Sequence, residues 1–194
     1  AGKNFTAVGA LSNSGTLTVG AGSTLTANSG LTNTGTAIFT GGLVASGVIN
    51  TSGNLTLAGT QQFAAQTSLN VTGGVTALNS DAGAPGKYAL SLSASGGTLQ
   101  LGSTQHLANF VVSGAATVGG AAAAGTPGEP APPPGIIAGS VVLMTQAMTT
   151  SGAGTVDLQN NALVVDYSGA TSAPFNAVKA AILLGYNSPG TPWA

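Results

Sequence analysis

The sequence contains no cysteine, no arginine and one histidine, His106. Without cysteine there is no disulfide framework, no thiolate metal site and no Cys nucleophile, and the thiols say nothing about redox compartment. Charge is almost as scarce. Lys3, Lys87, Lys179, Asp81, Asp157, Asp166 and Glu129 are the whole inventory, 4% of the chain, against roughly 25% in an ordinary globular domain. A net charge of −1 supplies no field to hold nucleic acid or an anionic membrane. No apolar run reaches the roughly 18 residues of a membrane-spanning helix, so membrane insertion is not expected. No secretory leader opens the sequence at Ala1, which reads as a mature or excised segment of something larger.

What is present is small and apolar or small and hydroxylated. The 194 residues are 43% hydrophobic and include 31 glycines, enough for one core. Disorder goes with low hydrophobicity and high net charge, and this chain has neither. A phrase of Ser/Thr-Gly followed by alternating apolar residues recurs at Asn13–Val19, Asn33–Phe39, Thr51–Leu57, Val71–Ala77 and Gly96–Leu101. Taking Leu17, Ala37, Leu55, Val75 and Leu99 as the first inward residues gives offsets of 20, 18, 20 and 24. Later copies are expected at Ala116–Val118 and Gly154–Leu158.

Alternation of period two with outward Thr predicts strands buried on one face. Second short strands are expected at Ser23–Thr26, Leu43–Ala45, Phe63–Ala65 and Tyr88–Leu92. A unit of about 20 residues cannot bury its own apolar face and must stack on the next. The fold class read from this is all-β: a right-handed parallel β-helix of six to eight coils, about 4.8 Å apart. An antiparallel sandwich or up-and-down barrel is the competing reading.

The periodicity lapses at 120–135, a Pro/Ala/Gly-rich stretch that reads as a loop or linker. The domain reading is therefore solenoid coils over 1–119, the excursion over 120–135, and final coils plus tail over 136–194. Pro174 opens and Gly185 closes a helical pattern, predicting a short capping helix over 174–184.

The N-terminal phrases resemble the strand repeats of bacterial autotransporter passengers. The tail Val156–Tyr167 with Leu184-Gly-Tyr-Asn187 looks like the C-terminal segment of large extracellular repeat proteins of planctomycetes. The resemblance implies a right-handed parallel β-helix, an extracellular or cell-surface address, and no catalytic residues to carry over.

Candidate chemistry is sparse. Asp157 and Asp166, separated by an Asn-Asn turn, could meet across a hairpin as a glycosidase pair; two solvated strand-end carboxylates is the plainer reading. Ser103 or Thr104 with His106 and Asp81 spells a Ser-His-Asp arrangement on paper, without a nucleophile elbow. The plainer reading of His106 is a surface residue in a loop. Gly20-Ala-Gly22 lacks the Lys and helix start of a phosphate loop. No cofactor or metal is expected. Asn4, Asn50, Asn54 and Asn70 begin N-glycosylation acceptor patterns. Tyr186 and Trp193 are the aromatic candidates for contact with a glycan.

These readings lead to a non-enzymatic structural module: a segment of an extracellular fibre, stalk or coat that self-associates. The alternative is an adhesin or carbohydrate-binding module, with a polysaccharide-active enzyme a distant third.

Overall fold

The computed structural model describes residues 2–83, 87–113, 117–120, 141–157, 162–166 and Lys179. The expected loop over 120–135 lies outside them except Gly120, and the expected helix over 174–184 lies outside them except Lys179. The chain is an all-β, parallel β-solenoid with coils of about 20 residues.

Each early coil has three short strands. β1 (Asn4–Ala7), β2 (Leu11–Asn13) and β3 (Thr16–Val19) make the first, and β4 (Thr24–Ala27), β5 (Leu31–Asn33) and β6 (Thr36–Phe39) the second. β7 (Gly42–Ala45), β8 (Val48–Thr51) and β9 (Asn54–Leu57) make the third. The fourth has β10 (Gln61–Phe63), then β11 (Thr67–Leu78), which runs through two faces; β12 (Leu90–Leu101) does the same in the fifth. β13 (Gln105–Val112) and β14 (Thr117–Gly120) form the sixth, β15 (Val142–Thr150) and β16 (Thr155–Asp157) the seventh, and β17 (Ala162–Val165) opens the eighth.

Every ladder is parallel. On the first face β1, β4, β7 and β10 form a four-stranded sheet. The second face runs from β2 through β5, β8, β11, β12 and β13 to β15. The third runs from β3 through β6, β9, β11, β12 and β14 to β16. The repeated phrase is thus a corner plus the third-face strand. The second-face strands that open it, such as Leu31–Asn33 and Val48–Thr51, were not separated in the sequence.

Stacking puts like residues in inward columns. Leu25 lies over Leu43, Leu31 over Ile49, Ala37 over Leu55, and Phe39 over Leu57; all are at most 3% exposed. Fully burying one such Leu, Ile or Phe is worth about 1.5–3 kcal/mol relative to leaving it exposed.

One inward column is polar at the corner before the third face. Asn13 Nδ2 donates to Asn33 Oδ1 (2.8 Å), and Asn33 Nδ2 donates to Thr51 Oγ1 (3.1 Å) and to the carbonyl of Asn54 (2.9 Å). In the fourth, fifth and sixth coils the same column is apolar, as Val71, Ala94 and Val112. Corner carbonyls that the amides held are no longer met by that column.

The change of column coincides with one added residue. Gly73-Gly74 stands where the third coil has Gly53 alone, and Gly74 takes a φ of +61°. Such a φ is open to glycine at little cost. A Cβ on Gly53 would lie 2.0 Å from the carbonyl oxygen of Gly35, so the stacked corner has no room for a side chain there. The added residue shifts the register: Thr76, not Val75, pairs with Leu55 and Leu99. Val75 points outward at 40% exposure and Thr76 is fully buried. The inward offsets are therefore 20, 18, 21 and 23 for Leu17, Ala37, Leu55, Thr76 and Leu99. Tyr88–Leu92 is corrected likewise: Leu90 pairs with Thr67 on the second face, and the fifth coil's first-face position belongs to 81–83.

The hydroxyl of Thr76 has no hydrogen-bond partner. An unsatisfied buried hydroxyl costs about 1–3 kcal/mol, so Thr76→Val is expected to raise the unfolding free energy by about 1 kcal/mol. Asn33→Ala, which removes three side-chain bonds from a buried corner, is expected to lower it by about 2 kcal/mol. Urea titrations with unchanged slope check both.

Candidate functional site

The first-face sheet stops at β10 and its strands resume at β13. Between them 81–83 is not a strand, so the backbone of 105–107 faces a coil with no ladder to offer. Side chains replace the ladder. Gln105, fully buried, accepts from the amide of Ala82 (3.0 Å) through Oε1 and donates through Nε2 to the carbonyls of Ser80 (2.9 Å) and Ser103 (3.0 Å). Gln61 sits in the first-face strand beneath; its Nε2 donates to the carbonyl of Gly59 (2.6 Å), and its Oε1 accepts from the Ser80 hydroxyl.

Outside the same break lies the densest group of ionisable side chains among the described residues. Asp81 Oδ1 accepts from the amides of Gly83 (2.9 Å) and His106 (3.1 Å), so the carboxylate stands in for the missing ladder carbonyl. Asp81 Oδ2 lies 2.6 Å from His106 Nδ1. A carboxylate at this contact accepts, so Nδ1 carries the proton, and in the neutral ring the lone pair is on Nε2. His106 occupies the outward column of Met144 and Val164. It is nonetheless 7% exposed where Val164 is 41% exposed. Tyr88 packs beside it: its ring meets the imidazole edge-on at 6.0 Å and 63°, and its hydroxyl donates to Asp166 Oδ2 at 3.2 Å. Tyr88 takes a φ of +29°, a strained value for a residue with a Cβ.

Of the Ser-His-Asp reading, the His–Asp half forms and the nucleophile half does not. The Ser103 hydroxyl donates to the carbonyl of Thr104, and Thr104 Oγ1 accepts from the amide of Val142. The pair can orient and polarise a group at Nε2, but neither sequence-nominated hydroxyl is bonded to it. The surface-loop reading of His106 is corrected: it is a buried strand residue. The hairpin reading of Asp157 and Asp166 is corrected too, because β16 pairs with β14 and β17 with β15, all in parallel. Tyr88 and Asp166, 78 residues apart, were not placed at this site from sequence. The only local signal was the turn-rich run Asp-Ala-Gly-Ala-Pro-Gly from Asp81 to Gly86.

Among the described residues no group of three or more His, Asp or Glu is arranged to hold a metal ion. Asn4, Asn50 and Asn54 are exposed and Asn70 is half-buried. Asn70 Nδ2 donates to Asn50 Oδ1 at 2.9 Å, and Asn54 Oδ1 accepts from the amide of Val75 at 3.1 Å. Tyr186 and Trp193 lie outside the described residues. A second feature is an open trench of about 640 Å³ at the corner between third and first faces, where Ser23, Thr24, Thr40, Thr60 and Gln62 surround Gly22, Gly41, Gly42 and Gly59.

The Tyr88 phenol is pushed above its ordinary value of 10.0, first by desolvation, then by its hydrogen bond to Asp166 and the charge of that carboxylate. The unfolded chain, with the lower value, releases this proton first as pH rises. The contribution is therefore complete below pH 10 and is lost as pH climbs through the folded-state value. Stability measured from pH 9 to 11 is expected to fall less steeply in Tyr88→Phe than in the parent, the difference isolating Tyr88 from Tyr167 and Tyr186.

No protein-family model matches the sequence, and no curated protein or solved structure is detectably similar to it. Geometry alone carries the assignment, and it is one of fold: a parallel β-solenoid whose first face is interrupted and closed by a side-chain cluster.

Proposed function

We propose that the chain is a structural segment of an extracellular fibre, stalk or coat, lengthened by stacking further coils on its ladders. The observation that carries this reading is the outer edge of the first coil. Phe5 stands in register with Leu25 and Leu43, yet it is 62% exposed where they are 3% and 1%. Val8, which follows β1, is 79% exposed. The inward pattern thus runs undiminished to an edge that offers both an apolar column and strand backbone. Such an edge accepts another strand by main-chain pairing, whichever polypeptide supplies it. Asn13 continues the chemistry: its Nδ2 serves the second coil, and its Oδ1 remains to accept from a donor on an added coil.

The resemblance of the repeats to autotransporter-type passengers supports a cell-surface address. The trench favours a second reading, a carbohydrate-binding module, because hydroxyl and amide groups from three successive coils line one continuous polar groove.

Negative-stain electron microscopy of the purified chain is expected to show end-to-end rods, and Phe5→Asp with Val8→Asp is expected to leave separate short particles. Discrete particles from the parent at every concentration, together with retention on a glycan column, would transfer the assignment to the carbohydrate-binding reading.

A further inference from the structure

In a solenoid each coil touches only its neighbours, so an end can peel away one coil at a time. The first-face break departs from that rule. Asp81, in the fifth coil, holds the backbone and ring of His106 in the sixth. Tyr88, also in the fifth, passes beside His106 and bonds Asp166, which follows β17 in the eighth coil. Asp166 is itself fixed to the seventh coil, its amide donating to the carbonyl of Thr145 at 2.8 Å.

We propose that Asp81, Tyr88, His106 and Asp166 form a lateral latch that makes the fifth to eighth coils one cooperative unit. Three observations support it independently. The bond from Tyr88 to Asp166 skips two coils, unlike the neighbour-to-neighbour bonds of the Asn13–Asn33–Thr51 column. Tyr88 is held at a positive φ, a conformation that persists only where its surroundings enforce it. His106 occupies an outward column yet is buried, as a residue beneath a strap must be. The latch lies where the first-face ladder is interrupted.

The test is amide hydrogen exchange, read by mass spectrometry, on the intact chain and on Tyr88→Phe, Asp166→Ala and the double variant. Phe keeps the ring against His106 and removes only the hydroxyl, so the fold is retained. Protection of β15 and β17 is expected to fall about tenfold in either single variant, with β5 and β8 unchanged and the double variant no worse than the singles. Unchanged protection of β17, an equal loss across β5, β8 and β17, or additive losses in the double variant would each overturn the latch. Should a variant fail to fold, cleavage of the parent by a protease under native conditions decides the matter. Release of the region from β12 to β17 as one piece upholds the latch, and stepwise trimming of β17 before β15 overturns it.

Discussion

The parallel ladder between coils is the constraint from which the rest of the structure follows. It fixes the distance between equivalent residues at about 4.8 Å along the axis, and each position in a coil must then be compatible with a copy of its kind directly above and below. Inward, that condition selects Leu, Ile, Phe and Ala, whose columns fill the interior. At the corners it selects glycine, because the backbone of one coil runs against the carbonyls of the last; Gly53 against Gly35 is the plainest case. It also permits the buried Asn13–Asn33–Thr51 column, since an amide both donates and accepts and can pass a hydrogen bond from coil to coil.

Where the ladder cannot continue, its hydrogen bonds still have to be met. At 81–83 they are met by side chains: Gln105 from inside, Asp81 from outside, Ser80 and Gln61 at the corner. A buried glutamine or an aspartate clamped on two amides looks, in isolation, like the making of a reactive centre. Here each has a backbone group that would otherwise be orphaned. The geometry of His106 and Asp81 does resemble a base with its orienting carboxylate, but the two hydroxyls nearest in sequence are committed to backbone partners.

Much of the fold was legible because the stacking condition writes itself into the sequence as a period. Alternation located the strands, and recurrence of Ser/Thr-Gly located the corners. What the period could not show was a change in its own length. The added glycine before Val75 leaves the apolar character of the phrase intact while moving Val75 outward and Thr76 inward, and a reader counting from the glycines places the wrong one in the core. The site was half legible. His106 and Asp81 are 25 residues apart, close to one coil, so the period itself brings them together once the break between them is recognised. Tyr88 and Asp166, 78 residues apart, have no such relation, because their contact runs across coils.

The scarcity of charge has the same origin. On an outward column a Lys or Asp repeated in every coil would meet its own kind about 4.8 Å away on both sides, and like charges opposed across strands are destabilising. Asn, Ser and Thr escape this because they are self-complementary: Asn70 donates to Asn50, and Asn109 donates to Ser91. A repeat built by stacking similar coils therefore tends to lose charge from its regular positions and to keep it where regularity fails. Asp81, His106 and Asp166 gather around one interruption for that reason. The low charge of the chain is in the first place a property of its periodic architecture, and any advantage it gives in packing one rod beside another follows from that architecture.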